Sequence, residues 1–150
     1  MKKNILIISL ILVLIIVISI LGININAKTR QVARNQNREY EQYLEGEIYG
    51  TDVITLINKA TSSNETNKVT KDEKGFYIDN NKNSITIDIV MITDEEKQET
   101  TMYKMEAISK VGIKDFIKNF NIAKFKCTNI KYHKETGKIK HIEITQQYGS

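Results

Sequence analysis

ILIISLILVLIIVISIL, residues Ile5 to Leu21, is a run in which fifteen of seventeen side chains are Ile, Leu or Val and only Ser9 and Ser19 interrupt it. No charge occurs between Lys3 and Lys28. At about 1.5 Å of rise per helical residue, the stretch from Ile5 to Ile25 covers about 30 Å, the thickness of a bilayer's hydrocarbon core. Each central Ile, Leu or Val contributes on the order of −0.3 to −0.6 kcal/mol to insertion. The run predicts a membrane-spanning helix, and it divides the chain into an anchor and whatever the anchor holds.

The flanks of the run bear on its fate. Lys2 and Lys3 form a basic head, and Ile25-Asn26-Ala27 has the form of a weak cleavage site. The apolar core is longer than the roughly 7 to 15 residues of a signal peptide, which favours a retained signal-anchor over residues 1–27 against cleavage after Ala27. Lys28, Arg30, Arg34 and Arg38 follow the helix, and the positive-inside rule read literally would hold the rest of the chain in the cytoplasm. A short basic head followed at once by a long apolar helix, however, is how a signal-anchor presents itself to a secretion machinery. The expectation is a single-pass protein of the cell membrane with an extracytoplasmic carboxyl-terminal domain. Within three turns of a bilayer each of those four cations can gain about 1 kcal/mol from anionic lipid, so they are the candidate membrane-surface contacts.

Working outward, Lys28 to Gly46 lacks Pro and has no Gly before Gly46, so the helix continues as a stalk over residues 28–46. Ala33, Tyr40, Tyr43 and Leu44 give it a thin apolar stripe that packs its far end onto a domain. Tyr40 and Tyr43 are also the candidate partner contacts. Residues 47–150 then read as one α+β domain. Val53, Leu56, Ile57 and Ala60 fall at i, i+3, i+4 and i+7, a short amphipathic helix that Asp52 caps and Ser62-Ser63-Asn64 ends. Phe76 to Ile78 and Ser84 to Ile92 read as strands, the second with Ile85, Ile87, Ile89 and Met91 on one face and Thr86 and Asp88 on the other. Met102 to Ala107 reads as a further strand, and Ser109 to Phe120 as a helix carrying Ile113, Phe116, Ile117 and Phe120. Ala123 to His133 and Lys138 to Gln146 close the domain as a hairpin around Lys134-Glu135-Thr136-Gly137. A change in the inward set from Phe125 and Cys127 to Ile130 and Tyr132 predicts a bulge or a bend. The fold class is α+β: an amino-terminal transmembrane helix extended into a stalk, then a small antiparallel sheet with two short amphipathic helices on one face.

Composition excludes several functions. The chain has 22 basic and 18 acidic residues, and setting aside Lys2 and Lys3 leaves a balance of +2, too even for a nucleic-acid partner. Cys127 is the only cysteine and no Pro occurs, so neither an internal disulfide nor a Pro-rich stalk is available. Cys127, His133 and His141 lack metal-ligand spacing, and read better as a small core thiol and exposed strand histidines. A Cys127/His133 nucleophile pair has no visible cleft. Asp94-Glu95-Glu96 lacks the alternating ligands of a calcium loop and reads as an acidic turn. No catalytic residue, metal or cofactor is assigned.

The segment YEQYLEGEIYGTDVITLINKA, Tyr40 to Ala60, resembles small membrane-anchored proteins of clostridial-type bacteria for which no activity is established. The likeness extends through FYIDNNKNSITIDI and FKCTNIKYHKETGKIKHIEI, with YGTDVITLINKA its specific part. In architecture, a membrane helix prolonged into a stalk beneath an antiparallel sheet is similar to pilins and pseudopilins. Those start their apolar helix after a processed Gly and place a Glu five residues into it, and Ile5 to Leu21 has neither. The expected function is a non-enzymatic envelope protein, a structural or assembly component of a pilus-like or secretion apparatus that meets the lipid bilayer and copies of itself or an envelope partner. The alternative is a membrane-tethered binding or sensing module for a small ligand or cell-wall fragment, with its pocket between helices and sheet.

Overall fold

The computed structural model describes residues 2–94 and 96–149. Nothing in Lys2–Leu44 breaks a helix, and α1 runs unbroken through those 43 residues until Gly46, at φ +79°, turns the chain out of it. Its first half exposes every large apolar side chain from Ile7 to Ile25, whereas Ala33, Tyr40 and Tyr43 in its second half are buried among domain residues. One helix therefore serves two environments. It is the one helix among the described residues that is long and apolar enough to cross a membrane.

The chain then forms β1 (Glu47–Tyr49), α2 (Gly50–Thr66), β2 (Thr86–Asp94), β3 (Glu99–Lys104), α3 (Met105–Val111), α4 (Ile113–Phe120), β4 (Lys124–Tyr132) and β5 (Ile139–Gln146). The five strands lie in the order β1-β4-β5-β2-β3. Alternation in β2 works as its sequence implies, with Ile85, Ile87, Ile89 and Met91 buried and Thr86 and Asp88 on the more open face. The stripe Val53, Leu56, Ile57 and Ala60 of α2 is fully buried against the same core, which Phe125, Ile142 and Ile144 complete. The fold is α+β as expected.

Several details differ from the sequence reading. The sheet is mixed, because β2 and β5 run parallel with Thr86 opposite His141 and Ile89 opposite Ile144. The remaining pairs are antiparallel. The cause is the crossover through α3 and α4, which returns the chain so that β4 runs with β3, and the β4–β5 hairpin then sets β5 alongside β2. Gly112, at φ +122°, splits the expected Ser109–Phe120 helix into α3 and α4. Met105 begins α3 instead of continuing a strand, so β3 lies earlier, at Glu99–Lys104. Phe76 to Ile78 is no strand but a loop held by the bridge between Lys71 and Tyr77. The bulge in β4 is real and falls between Cys127 and Asn129.

Asp52 is not the cap of α2. The helix starts two residues earlier at Gly50, and Asp52 reaches back from its first turn to accept a hydrogen bond from the Tyr49 N–H at 2.9 Å. Nor does the helix end at Ser62–Asn64, since it continues to Thr66. Asn64, wholly buried, instead joins α2 to the sheet: its Nδ2 donates to Ile85 O at 2.7 Å, and its Oδ1 accepts from Ile85 N–H at 2.8 Å.

Gly50 is required for lack of room. A Cβ there would stand 1.9 Å from the carbonyl oxygen of Phe120, so the start of α2 and the end of α4 can approach only without one. Gly50→Ala should lower stability by about 1–3 kcal/mol through this overpacking. Near-UV circular dichroism of the full chain in detergent would show an earlier thermal transition, and an unchanged one would mean that this approach is not close in solution.

Candidate functional site

Lys28, Arg30, Arg34 and Arg38 are all exposed on α1. Arg30, Arg34 and Arg38 follow one another at four-residue intervals, so like charges face each other along one ridge. Each such pair disfavours an isolated helix by roughly 0.2–0.5 kcal/mol, a cost that a nearby anionic surface would offset. Arg34 and Arg38 also border a groove with Leu44, Tyr132 and Ile139, where α1 meets the end of the β4–β5 hairpin. There Asn37 docks the hairpin, with Nδ2 donating to Gly137 O and Oδ1 accepting from Ile139 N–H, both at 2.9 Å.

Tyr40 and Tyr43 do not form a contact face. They are 2% and 5% exposed, and both belong to the hydrophobic core. Burial pushes the pKa of the Tyr40 hydroxyl up to about 12, against a smaller lowering by the nearby Ser63 of α2. Burial removes both rings from any partner in this arrangement.

The candidate chemistry of the closing strands is dispersed. His133 is buried, where its Nε2–H donates to Ser84 O at 2.7 Å, which corrects its expected exposure. Its Nδ1 has no hydrogen-bond partner among the described residues. His141 stands opposite Lys131 in the β4–β5 pair, with Nδ1 2.9 Å from Thr86 Oγ1. Cys127 lies six residues before His133, about 20 Å along a strand. Burial pushes its thiol up from its ordinary pKa, opposite to the activation a nucleophile needs. The structure therefore does not bring Cys127 and His133 together. Asp94 belongs to a turn, accepting hydrogen bonds from the Lys97 N–H at 3.1 Å and Nζ at 2.8 Å, while Glu95 lies outside the described residues.

The sequence reading placed a pocket between helices and sheet without naming its lining. Met91, Thr93, Tyr103, Ile108, Phe116 and Phe120 border an almost wholly apolar groove of about 240 Å³ between the β2–β3 ribbon and the two short helices. Asp115 and Asn119 stand on its rim. The signal was present in Phe116 and Phe120, whose rings lie 5.3 Å apart on α4, and Gly112, where α3 gives way to α4, also lines the groove.

Opposite that groove, the turn before β2 carries the clearest electrostatic feature. Asp79 accepts a hydrogen bond from Ser84 Oγ at 2.9 Å and pairs with Lys140 Nζ at 2.6 Å. Partial burial works to raise its pKa, but the hydrogen bonds from Lys140 and Ser84, with the Lys140 charge, outweigh that and hold it below the usual value. No known protein family, curated protein or solved structure matches the chain.

Because the folded carboxyl stays ionised where an unfolded Asp, with a pKa of about 3.9, takes up a proton, its contribution to stability is complete above about pH 5. It is lost as pH falls through the lowered folded value. Unfolding of wild type and Asp79→Asn should thus differ at neutral pH and converge under acid. A difference that persists unchanged at low pH would exclude the ionised pair as its source.

Proposed function

We propose that this chain is a non-enzymatic, single-pass membrane protein of the cell envelope, whose domain stands outside the cytoplasm as a structural or assembly component of a pilus-like or secretion apparatus. The continuity of α1 carries the reading. A helix whose first half is apolar on every side and whose second half gives Tyr40 and Tyr43 to the domain core makes membrane position and domain orientation one mechanical quantity. The contact this leaves is an edge: β3 ends the sheet, all six of its residues are exposed, and it holds neither Pro nor a bulge within its own length to deter strand addition. The pilin likeness is one of shape, without the Gly and the Glu of a prepilin-like processing signal.

A photo-crosslinker at Met102 in cells should capture a second copy or an envelope protein, and Met102→Lys should blunt the edge and be dispensable for folding. A monomer that captures nothing would count against assembly. The tethered binding module is the second reading, favoured by the groove of about 240 Å³ at Phe116. Ligand-observed NMR with cell-wall fragments should then show binding that Ala107→Phe, a substitution that puts a ring into the groove from its α3 wall, abolishes. Binding indifferent to that substitution would remove the groove from consideration.

A further inference from the structure

The contacts of α1 decide which end of the domain faces the apolar segment. Asn37 holds the tip of the β4–β5 hairpin, and Gln36 Nε2 donates to Ser63 Oγ near the end of α2 at 3.0 Å. By Tyr49 the chain has reached the other end of the sheet, opposite Lys124, and the Gly50 N–H donates to Ala123 O at 3.1 Å. The hairpin tip therefore lies on the anchor side. So does the turn of residues 79–84, since Thr136 Oγ1 donates to Lys82 O at 2.8 Å. Asn37 is twelve residues beyond Ile25, or about 18 Å of helix, of which the headgroup layer occupies roughly 5–8 Å.

That end is basic. Lys82, Lys131 and Lys134 are exposed there, with Lys138 and Lys140 beside them, while the acidic residues of the same two segments are Asp79 and Glu135. Asp79 is already paired with Lys140. Lys131, Lys134 and Lys140 border an open groove of about 570 Å³ together with Asn81, Tyr132, His133 and one carboxylate, Glu135. Tyr132 also borders the groove that Arg34, Arg38 and one carboxylate, Glu41, share, so the hairpin cluster and the α1 ridge join into one surface in which the cations outnumber the acids.

We propose that this anchor-side surface docks on the anionic headgroups of the bilayer that α1 spans, with Lys82, Lys131 and Lys134 extending the contact begun by Lys28, Arg30, Arg34 and Arg38. The proposal rests on the membrane-anchor reading above. An upright α1 would hold the hairpin about one Debye length above the headgroups, where attraction is fading. A tilt of about 20° toward the hairpin, ordinary for spanning helices, brings the lysines within range. The domain is then held down on its membrane rather than swaying above it.

The full chain with Cys127→Ala, reconstituted in vesicles, carries a fluorophore at Glu135→Cys on the hairpin or at Glu96→Cys in the far turn. Quenchers sit on lipid headgroups, in phosphatidylcholine alone or mixed with phosphatidylglycerol. Quenching at the hairpin should rise roughly twofold in the anionic bilayer, fall with added salt, and disappear in Lys131→Glu/Lys134→Glu, while the far turn does not respond. Equal hairpin quenching in both bilayers overturns the proposal. Loss of quenching with inorganic phosphate beyond that with chloride at equal ionic strength assigns the groove to a soluble phosphate ligand and overturns it too. Failure of the chain to float with either vesicle overturns the anchor reading itself, and this surface with it.

Discussion

The side-chain amide of Asn37 meets the backbone of Gly137 and Ile139 as a neighbouring strand would, and the bearing of the domain on its helix follows from that pairing. Asn64 treats Ile85 in the same way from α2. The two amides act on corresponding places, since Ile139 begins β5, Ile85 immediately precedes β2, and β2 and β5 are the parallel neighbours at the centre of the sheet. Each helix thus clamps the start of one central strand. A hydrogen bond of this kind contributes only about 1 kcal/mol net, but a buried backbone group left without one costs about 1–3 kcal/mol, so the clamps act mainly against alternative registers.

This arrangement imposes an order on assembly. Asn37 and Gly137 are 100 residues apart, and β1 finds its partner in β4 only after α2, the β2–β3 ribbon and both short helices have intervened. The second half of α1 can meet α2 early, through Gln36 at Ser63, but its hold on Gly137 and Ile139 waits for the last hairpin. Local elements such as α2 and the β2–β3 ribbon form without that delay, and the long-range closures carry the entropic cost.

Much of this was legible in the residues. The period of two in Ile85, Ile87, Ile89 and Met91 and the period of 3.6 in Val53, Leu56, Ile57 and Ala60 identify elements because burial selects one face of each. The change of parity after Cys127 located the bulge for the same reason. Parallel pairing of β2 and β5 was not legible, since it comes from the path of α3 and α4 and leaves no local periodic mark. Asn37 and Asn64 look like ordinary polar helix residues, and only tertiary contact turns them into clamps. Tyr40 and Tyr43 misled in the opposite way: an aromatic pair on a polar stalk suggests a contact surface until the domain is seen to close over it. The basic ridge at Arg30, Arg34 and Arg38 was visible in sequence, but the lysines that join it came from loops about 50 and 100 residues further on.

Burial along α1 begins abruptly, with Val32 47% exposed and Ala33 4%. A protease severing the polypeptide between Ala27 and Val32 would liberate a fragment that retains its whole hydrophobic interior, whereas scission past Tyr40 would strip away part of that interior. The boundary between what can be shed intact and what cannot is therefore drawn within about two turns of helix, and a fragment cut loose from the apolar run keeps every buried side chain only if it begins ahead of Ala33.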